Sequence, residues 1–494
     1  MADIILIQPK IGEMDLLRTR FSLPLNLLHA ATLVDKEYQI KIIDQRIEKN
    51  WQRILANELT GPVLCVGLTA YTGNMISYAL EISQFIKERS TLPVIWGGVH
   101  ASLLPQQTLK NKYVDIVVQG EGEITFLELA RALDKGESLS GIKGLWFKDD
   151  GEIYHNPMRD FLNLNKLPEI PYHLVDVEQY LPIYRKKRSI QLQTSRGCIY
   201  HCSYCYNTVY NQSTWRCLTA KNAIARIKYA VNKFNVESIY IVDDNFFIDL
   251  ERAKKLAEGI IKENLNIEWQ VQGVSFSEIE KMDDNYLRLL EKSGCVRFTC
   301  GLESGSSRIR KMLCKGTSFE KIKKINKRLN KYRIIMFYSF ITGFPEETVN
   351  DLKQTIDILF QLLKENKMAR NSPIYSFIPY PQTLLAKTIE KKGYKFPDEL
   401  IGWKNYDWGN MGSENITYIS NDLRKIIKYN FLYYISFFLD KKLMEYETSK
   451  IIKIFALIYK PIALFRIKYL FFKFGLEKKI ITFFFKVIKY RVKN

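Results

Sequence analysis

Three thiols in one short loop restrict this chain more than anything else in it. Cys198, Cys202 and Cys205 stand in the run Arg196-Gly197-Cys198-Ile199-Tyr200-His201-Cys202-Ser203-Tyr204-Cys205-Tyr206, a C-x3-C-x2-C spacing reached from an apolar, strand-like stretch at 189–194. Such a loop can wrap three thiolates round an iron–sulfur cube and leave the fourth iron without a protein ligand. Clusters usually take four cysteines, so a missing one leaves an iron free to chelate a substrate or cofactor. On spacing alone, zinc and a chance group of structural cysteines stay open as alternatives. Structural zinc wants four ligands. His201 falls between two of the cysteines, where a four-ligand set would be strained, and Cys217 lies beyond a polar, aromatic stretch.

With Tyr204 just before the third cysteine, the loop resembles the signature of radical S-adenosylmethionine (SAM) enzymes. The resemblance implies that Cys198, Cys202 and Cys205 hold a [4Fe–4S] cluster, that SAM chelates its open iron, and that Tyr204 lies beside the SAM adenine.

The surrounding pattern extends the resemblance. Strand-like runs at 190–194, 238–242, 268–271, 296–300, 334–341 and 374–378 alternate with helical periodicity, which suits six βα units, the partial barrel of radical SAM cores. Chemistry in such barrels gathers at the carboxyl ends of strands. Asp243 and Asp244 follow the second strand, where the family contacts the SAM amino group, although the familiar Gly-Gly-Glu is absent. Gly301-Leu302-Glu303-Ser304-Gly305 resembles the segment that meets the ribose and methionyl part, and Glu303 and Ser304 are its candidates. Thr342-Gly343-Phe344-Pro345-Glu346-Glu347-Thr348 resembles the adenine-side loop, with Gly343 and Pro345 as contacts. Singly, each motif reads equally as a helix cap or turn; in this order, behind the cysteine loop, they support the family.

Upstream, strand-like runs at 4–7, 40–43, 63–68, 94–97 and 115–118 alternate with helical ones at 25–34, 76–87 and 124–133. The alternation predicts a doubly wound parallel sheet, with ligands beyond the carboxyl ends of its strands. Small residues crowd those ends and would let a bulky planar ligand approach the backbone. This region resembles the cobalamin-binding domain that precedes many radical SAM cores. The implied contacts are Thr69, Tyr71, Thr72 and Asn74, then Gly97, Gly98, His100 and Ser102, then Gly120, Glu121 and Gly122. No Asp-x-His-x-x-Gly motif occurs, so the lower cobalt face is expected to be open or water-bound, and His100 reads as a loop contact. On pattern alone an ordinary doubly wound domain also fits.

The expected organisation is α/β: a cobalamin-binding domain at 1–140, a connector at 141–188, a radical SAM core at 189–400, and a basic, mainly helical region at 401–494. An apolar share of 47% and a charged share of 26% describe a globular chain. Eight cysteines, three in one loop, fit a reducing compartment and metal chemistry better than a disulfide framework. Cys65, Cys295 and Cys300 read as core. The start of the chain carries an acid where a signal peptide would carry base, so a cytoplasmic protein is expected. The formal charge is +20, and residues 451–494 hold eleven Lys and Arg against one acid, Glu477. Aromatics fill the spaces between those bases. No uncharged stretch there reaches the roughly 18 residues of a spanning helix, so the tail is expected to lie on the inner membrane face, with a helical cap on the barrel as the plain alternative.

Taken together, the resemblance implies a methyltransferase acting at an unactivated carbon through a 5′-deoxyadenosyl radical and methylcobalamin, on a natural-product or lipid-like substrate. Ring closure or rearrangement without methyl transfer, or tRNA modification, are the alternatives. The expected partners are a small-molecule or lipid-like substrate, an electron donor such as flavodoxin or ferredoxin, and a membrane surface; nucleic acid is not expected.

Overall fold

The structure, a computed structural model, describes residues 2–12, 15, 20–407, 417–428 and 450–471. The chain divides into two compact units. The first comprises Met1–Tyr180, Cys205–Gln212 and Pro379–Asp407, and the second Leu181–Tyr204, Ser213–Ile378 and Trp408–Asn494.

The first unit is built on a seven-stranded sheet: β1 (Ile4–Gln8), β2 (Ile40–Asp44), β3 (Cys65–Thr69), β4 (Val94–Gly97), β5 (Ile116–Val118), β6 (Leu145–Asp149) and β7 (Glu152–His155), in the order β2-β1-β3-β4-β5-β6-β7. β1 to β5 are parallel, and every residue of β1 and β3 is buried, as strands covered on both faces require. The order reverses between β1 and β3, which places a ligand crevice beyond the carboxyl ends there. The helix Leu25–Val34 forms over the predicted residues and packs on the helix Gly122–Lys135.

Part of the expected connector is sheet. β6 and β7 form an antiparallel hairpin turning through Asp150 and Gly151, both at positive φ (45° and 81°). An Asp-Gly pair between short strands is a strong hairpin signal. Beneath β2, Asp44 pairs with Arg46 at 2.6 Å, with side chains only 3% and 2% exposed, and also accepts from the Tyr180 hydroxyl at 3.0 Å. Asp44→Ala strands a buried guanidinium, and the expected loss is about 3–5 kcal/mol, read as a fall in denaturation midpoint.

The second unit carries β8 (Ile183–Tyr184), β9 (Lys187–Leu192), β10 (Ser195–Gly197), β11 (Trp215–Cys217), β12 (Ser238–Ile241), β13 (Glu268–Val274), β14 (Cys295–Glu303), β15 (Ile335–Thr342) and β16 (Ala369–Ser376). Six parallel strands, β9 and β12 to β16, lie side by side in chain order, the half-barrel expected from the six βα units. Ile239, Ile241, Trp269, Val271, Phe298 and Cys300 are all fully buried, and they alternate along their strands with polar or half-exposed residues. That period-2 pattern gives the sheet one apolar face for its helices. Side-chain caps start those helices: Thr219, Asp249, Ser275, Ser306 and Thr348 each accept from a backbone N–H of the first turn. All six strands therefore release their carboxyl ends on one rim.

The basic run at 184–188, the end of the expected connector, forms a hairpin. Arg185 and Lys186 turn β8 into β9 with φ of 50° and 66°, while Arg185 and Lys187 pair with Glu268 at 3.1 and 3.4 Å. In the C-terminal region the described helices are Asn421–Lys428 and Lys450–Lys468. The aromatic runs at 429–439, 472–474 and 483–486 lie outside the described residues. Among the described residues, no helix is long and apolar enough to cross a membrane.

Candidate functional site

The cysteine loop leaves β9 through a two-stranded ribbon in which β10 pairs with β11, Gly197 opposite Trp215. Asp243, at the end of β12, is buried and accepts from the Thr194 amide (2.6 Å), the Thr194 hydroxyl (2.7 Å) and the Ser195 hydroxyl (2.6 Å). Burial pushes its carboxyl pKa up, opposed by Arg252 and these donors. Asp244 accepts from the Gly197 amide at 2.8 Å. Both acids thus hold the base of the loop. Farther along it, the Ser203 hydroxyl donates to Met312 O at 2.8 Å and its amide to Leu313 O at 3.3 Å.

Cys198 and Cys202 are half-buried in the second unit. Burial raises both thiols; the Tyr200 backbone N–H and the Asn245 side chain (Nδ2 to Sγ, 3.9 Å) favour thiolate at Cys198, and Lys315 does so at Cys202. N–H groups and a cation aimed at sulfur suit an anionic cluster. Among the described residues no three His, Cys, Asp or Glu side chains gather round a single-ion position; a cube, whose thiolates each hold a different iron, does not ask for that.

Glu303 closes β14 in a left-handed conformation (φ 65°) that non-glycine residues rarely adopt. Its Oε1 accepts from the Tyr204 hydroxyl at 2.7 Å and pairs with Lys315 at 3.2 Å, while Oε2 is buried with no partner among the described residues. Burial pulls the Lys315 pKa down, but Glu303 and Cys202 outweigh it and leave it raised. A Cβ at Gly301 would stand 2.1 Å from Glu303 Oε1, so a side chain there would displace the carboxylate from this position. The sequence named Tyr204 and Glu303 as separate SAM contacts, through the family alone, and did not pair them; Lys315 and Asn245 it missed, since neither carries a spacing signal. Ser304 is buried, with its hydroxyl 3.2 Å from the Thr355 hydroxyl.

At the end of β15, Gly343 (φ 87°) and Phe344 donate their amides to Glu347 Oε2 at 2.6 and 3.1 Å, which folds the loop around Pro345. Burial lifts the Glu347 carboxyl to about 7. A carboxyl that stays protonated in the fold while the unfolded chain ionises loses stability as pH rises from about 4.5 to 7. Glu347→Gln should flatten the pH dependence of the melting temperature in that window.

In the first unit the carboxyl ends of β3, β4 and β5 bring the predicted residues together. Thr72 Oγ1 lies 2.9 Å from His100 Nδ1, Gly120 donates its amide to Ser102 Oγ at 2.9 Å, and Glu121 Oε2 accepts from the Leu162 amide at 2.9 Å. The Tyr71 hydroxyl accepts from Asn26 at 2.6 Å, and Asn74 Oδ1 from the Ser77 hydroxyl at 2.9 Å. Gly98 (φ 90°) has no room for a side chain, since a Cβ would meet Thr69 Oγ1 at 2.6 Å; Gly97 ends β4 and Gly122 starts the following helix. His100 is sealed edge-on against Trp403 (5.5 Å), and burial lowers its pKa to about 3, so it is neutral. The run that begins at Cys205 also belongs to this unit: its helix, Asn207–Tyr210, places the Tyr210 hydroxyl 2.9 Å from Gly120 O, as donor.

Comparison with known proteins agrees with this division. The model of the radical SAM superfamily matches residues 192–359, and that of the B12 binding domain residues 22–130. The chain is a radical SAM enzyme carrying a B12-binding domain. An uncharacterized methyltransferase of Pyrococcus horikoshii is 28% identical to it over 432 residues, 85% of this chain and 89% of the relative. An anaerobic magnesium-protoporphyrin IX monomethyl ester cyclase of a Synechocystis strain is 23% identical, covering 67% of each. The structure of the cobalamin-dependent SAM radical enzyme OxsB, with aqua-cobalamin and SAM bound, superposes with a TM-score of 0.71 over 98% of this chain and 74% of that one, at 17% identity. That likeness shows the fold.

The cofactors of this radical SAM enzyme are therefore a [4Fe–4S] cluster, SAM and cobalamin, and its residues fit them. Buried Glu303 Oε2 awaits a donor beside the cysteine loop. Thr69 Oγ1 and His100 Nε2, buried at the bare Gly98 turn with no partner among the described residues, suit polar groups of a ligand at the sheet edge. Cys65, Cys295 and Cys300 are buried core thiols, as expected. Tyr338, Phe340 and Phe377 are core as well, whereas Tyr375 is exposed.

Proposed function

We propose that this enzyme is a cobalamin-dependent radical SAM methyltransferase that alkylates an unactivated carbon of a small molecule. Tyr210 carries the reading: the residues that follow the third cysteine fold with the B12-binding unit, where the Tyr210 hydroxyl donates to Gly120 O, so one short run of chain carries a cysteine of the predicted cluster loop and a contact to a predicted cobalamin loop. When bound, SAM and the reduced cluster supply a hydrogen-abstracting radical, and cobalamin supplies the methyl group. Cys198, Cys202 and Cys205 hold the cluster. Tyr204 and Glu303 orient SAM, with Gly343 and Pro345 on its adenine side; Asp243 braces the loop through both its oxygens, and Asp244, which also holds the Gly197 amide, is the candidate for the SAM amino group. Thr69, Tyr71, Thr72, Asn74, Gly97, Gly98, His100, Ser102, Gly120, Glu121 and Gly122 form the corrin cradle. A one-electron donor of the flavodoxin or ferredoxin kind reduces the cluster, and the basic tail supports contact with a membrane surface and a lipid-like or natural-product substrate. Under anaerobic reducing conditions with methyl-labelled SAM, the label should enter a product. Formation of 5′-deoxyadenosine with no labelled product would contradict methyl transfer and favour the ring-closing alternative, which the cyclase relative supports.

A further inference from the structure

The helix Lys450–Lys468 is built inside out. Within the second unit it packs on the helix Val349–Glu365, and Tyr459, Ala463 and Ile467 face inward, buried. Arg466 is also buried, its Nη1 donating to Phe471 O at 3.1 Å. The opposite face shows Ile458 (72% exposed), Ile462 (50%), Phe465 (55%) and Tyr469 (61%). Steps of four, three and four residues keep these on one stripe, flanked by exposed Leu457 and Pro461, with Lys468 as its charged member. A surface helix ordinarily puts its charges there.

We propose that this stripe docks the enzyme on an anionic lipid bilayer, its side chains entering the headgroup–acyl boundary. The inference deepens the surface contact suggested above and does not depend on which reaction the chain catalyses. Charge selects the occupant. Residues 451–494 carry eleven bases and one acid, so a second copy would bring like charge against like. Nucleic acid would need bases pointing at it, whereas this face is apolar. A bilayer of anionic lipid accepts both features, acyl chains against Ile458, Ile462 and Phe465, and phosphates against Lys468 and the other bases that this segment carries in its sequence. Tyr469, aromatic with a polar tip, suits the headgroup level.

The test uses the full chain, reconstituted anaerobically, and co-sedimentation with vesicles. Binding is expected to phosphatidylcholine vesicles containing about one-third phosphatidylglycerol, but not to phosphatidylcholine alone, and to weaken with added salt. The double variant Ile458→Asp/Phe465→Asp should bind about tenfold more weakly or worse, with iron content and melting temperature unchanged because both side chains are exposed. Phe465→Ser, which adds no charge, should show a smaller loss. Absence of vesicle binding, equal binding to both lipids, or binding that survives the double variant would overturn the proposal. So would a dimer that the double variant dissociates. None of these results bears on methyl transfer, which the labelled-SAM assay reads separately.

Discussion

Replacing Cys198, Cys202 or Cys205 by alanine should abolish 5′-deoxyadenosine formation and drop the iron content of the reconstituted protein from about four per chain to near zero. The reason lies in how little else holds a cluster there. In the proposed assignment three thiolates of one loop supply every protein ligand, so losing one would leave two irons open to solvent and thiols. All three side chains are only half-buried, and the Asn245 amide that Cys198→Ala leaves without its sulfur acceptor made only a long contact of 3.9 Å. The fold should therefore keep its stability to within about 1 kcal/mol, which separates a missing cluster from a misfolded chain. Cys314→Ala is the control: this exposed thiol follows the helix against which the loop is pinned, and iron content should not change. Iron retained in any of the three loop variants, measured beside that control, would count against the ligand assignment.

Glu303→Gln should weaken SAM binding about 10- to 100-fold, the worth of a hydrogen bond to a charged acceptor, while leaving iron content near normal. Glu303 is 5% exposed and held at positive φ. The strained backbone, and a buried oxygen with no partner among the described residues, make Glu303 the candidate acceptor for a ligand donor. The amide retains the shape and can still accept from Tyr204, but it replaces one carboxylate oxygen by a donor and removes the charge opposite Lys315. Equilibrium binding of SAM to the loaded protein reads the effect directly; unchanged affinity would move the ligand contact elsewhere. A modest fall in thermal stability should accompany it, since Lys315 keeps its charge and loses its partner.

Much of the fold was legible because parallel sheets leave strong patterns. Buried strands such as β1 and β3 are continuous apolar runs, and the helix Leu25–Val34 has the bounds its periodicity predicts. The helix Trp51–Glu58 escaped notice because it buries only Trp51 and Leu55, too few residues to show a period. The β6–β7 hairpin, read as connector, escaped notice despite its Asp150-Gly151 turn, because its strands are short and β7 is largely exposed. The site was legible where chemistry is written locally, as in the cysteine loop. It was illegible where partners lie far apart in sequence. Asp243 was read as a ligand contact by family position, and only the structure shows its oxygens turned back onto Thr194 and Ser195. Lys315 and Tyr210 carry no motif at all, and their roles appear only once Glu303 and Gly120 are found beside them.

Metal analysis of the full chain, reconstituted anaerobically with iron, sulfide and hydroxocobalamin and then desalted, tests the central claim most directly. The account predicts about four irons and one cobalt per chain, with the iron lost and the cobalt retained in Cys198→Ala. A cluster-loaded protein that retains no cobalt, or cobalt that requires no residue at the Gly98 and Gly120 turns, would contradict it.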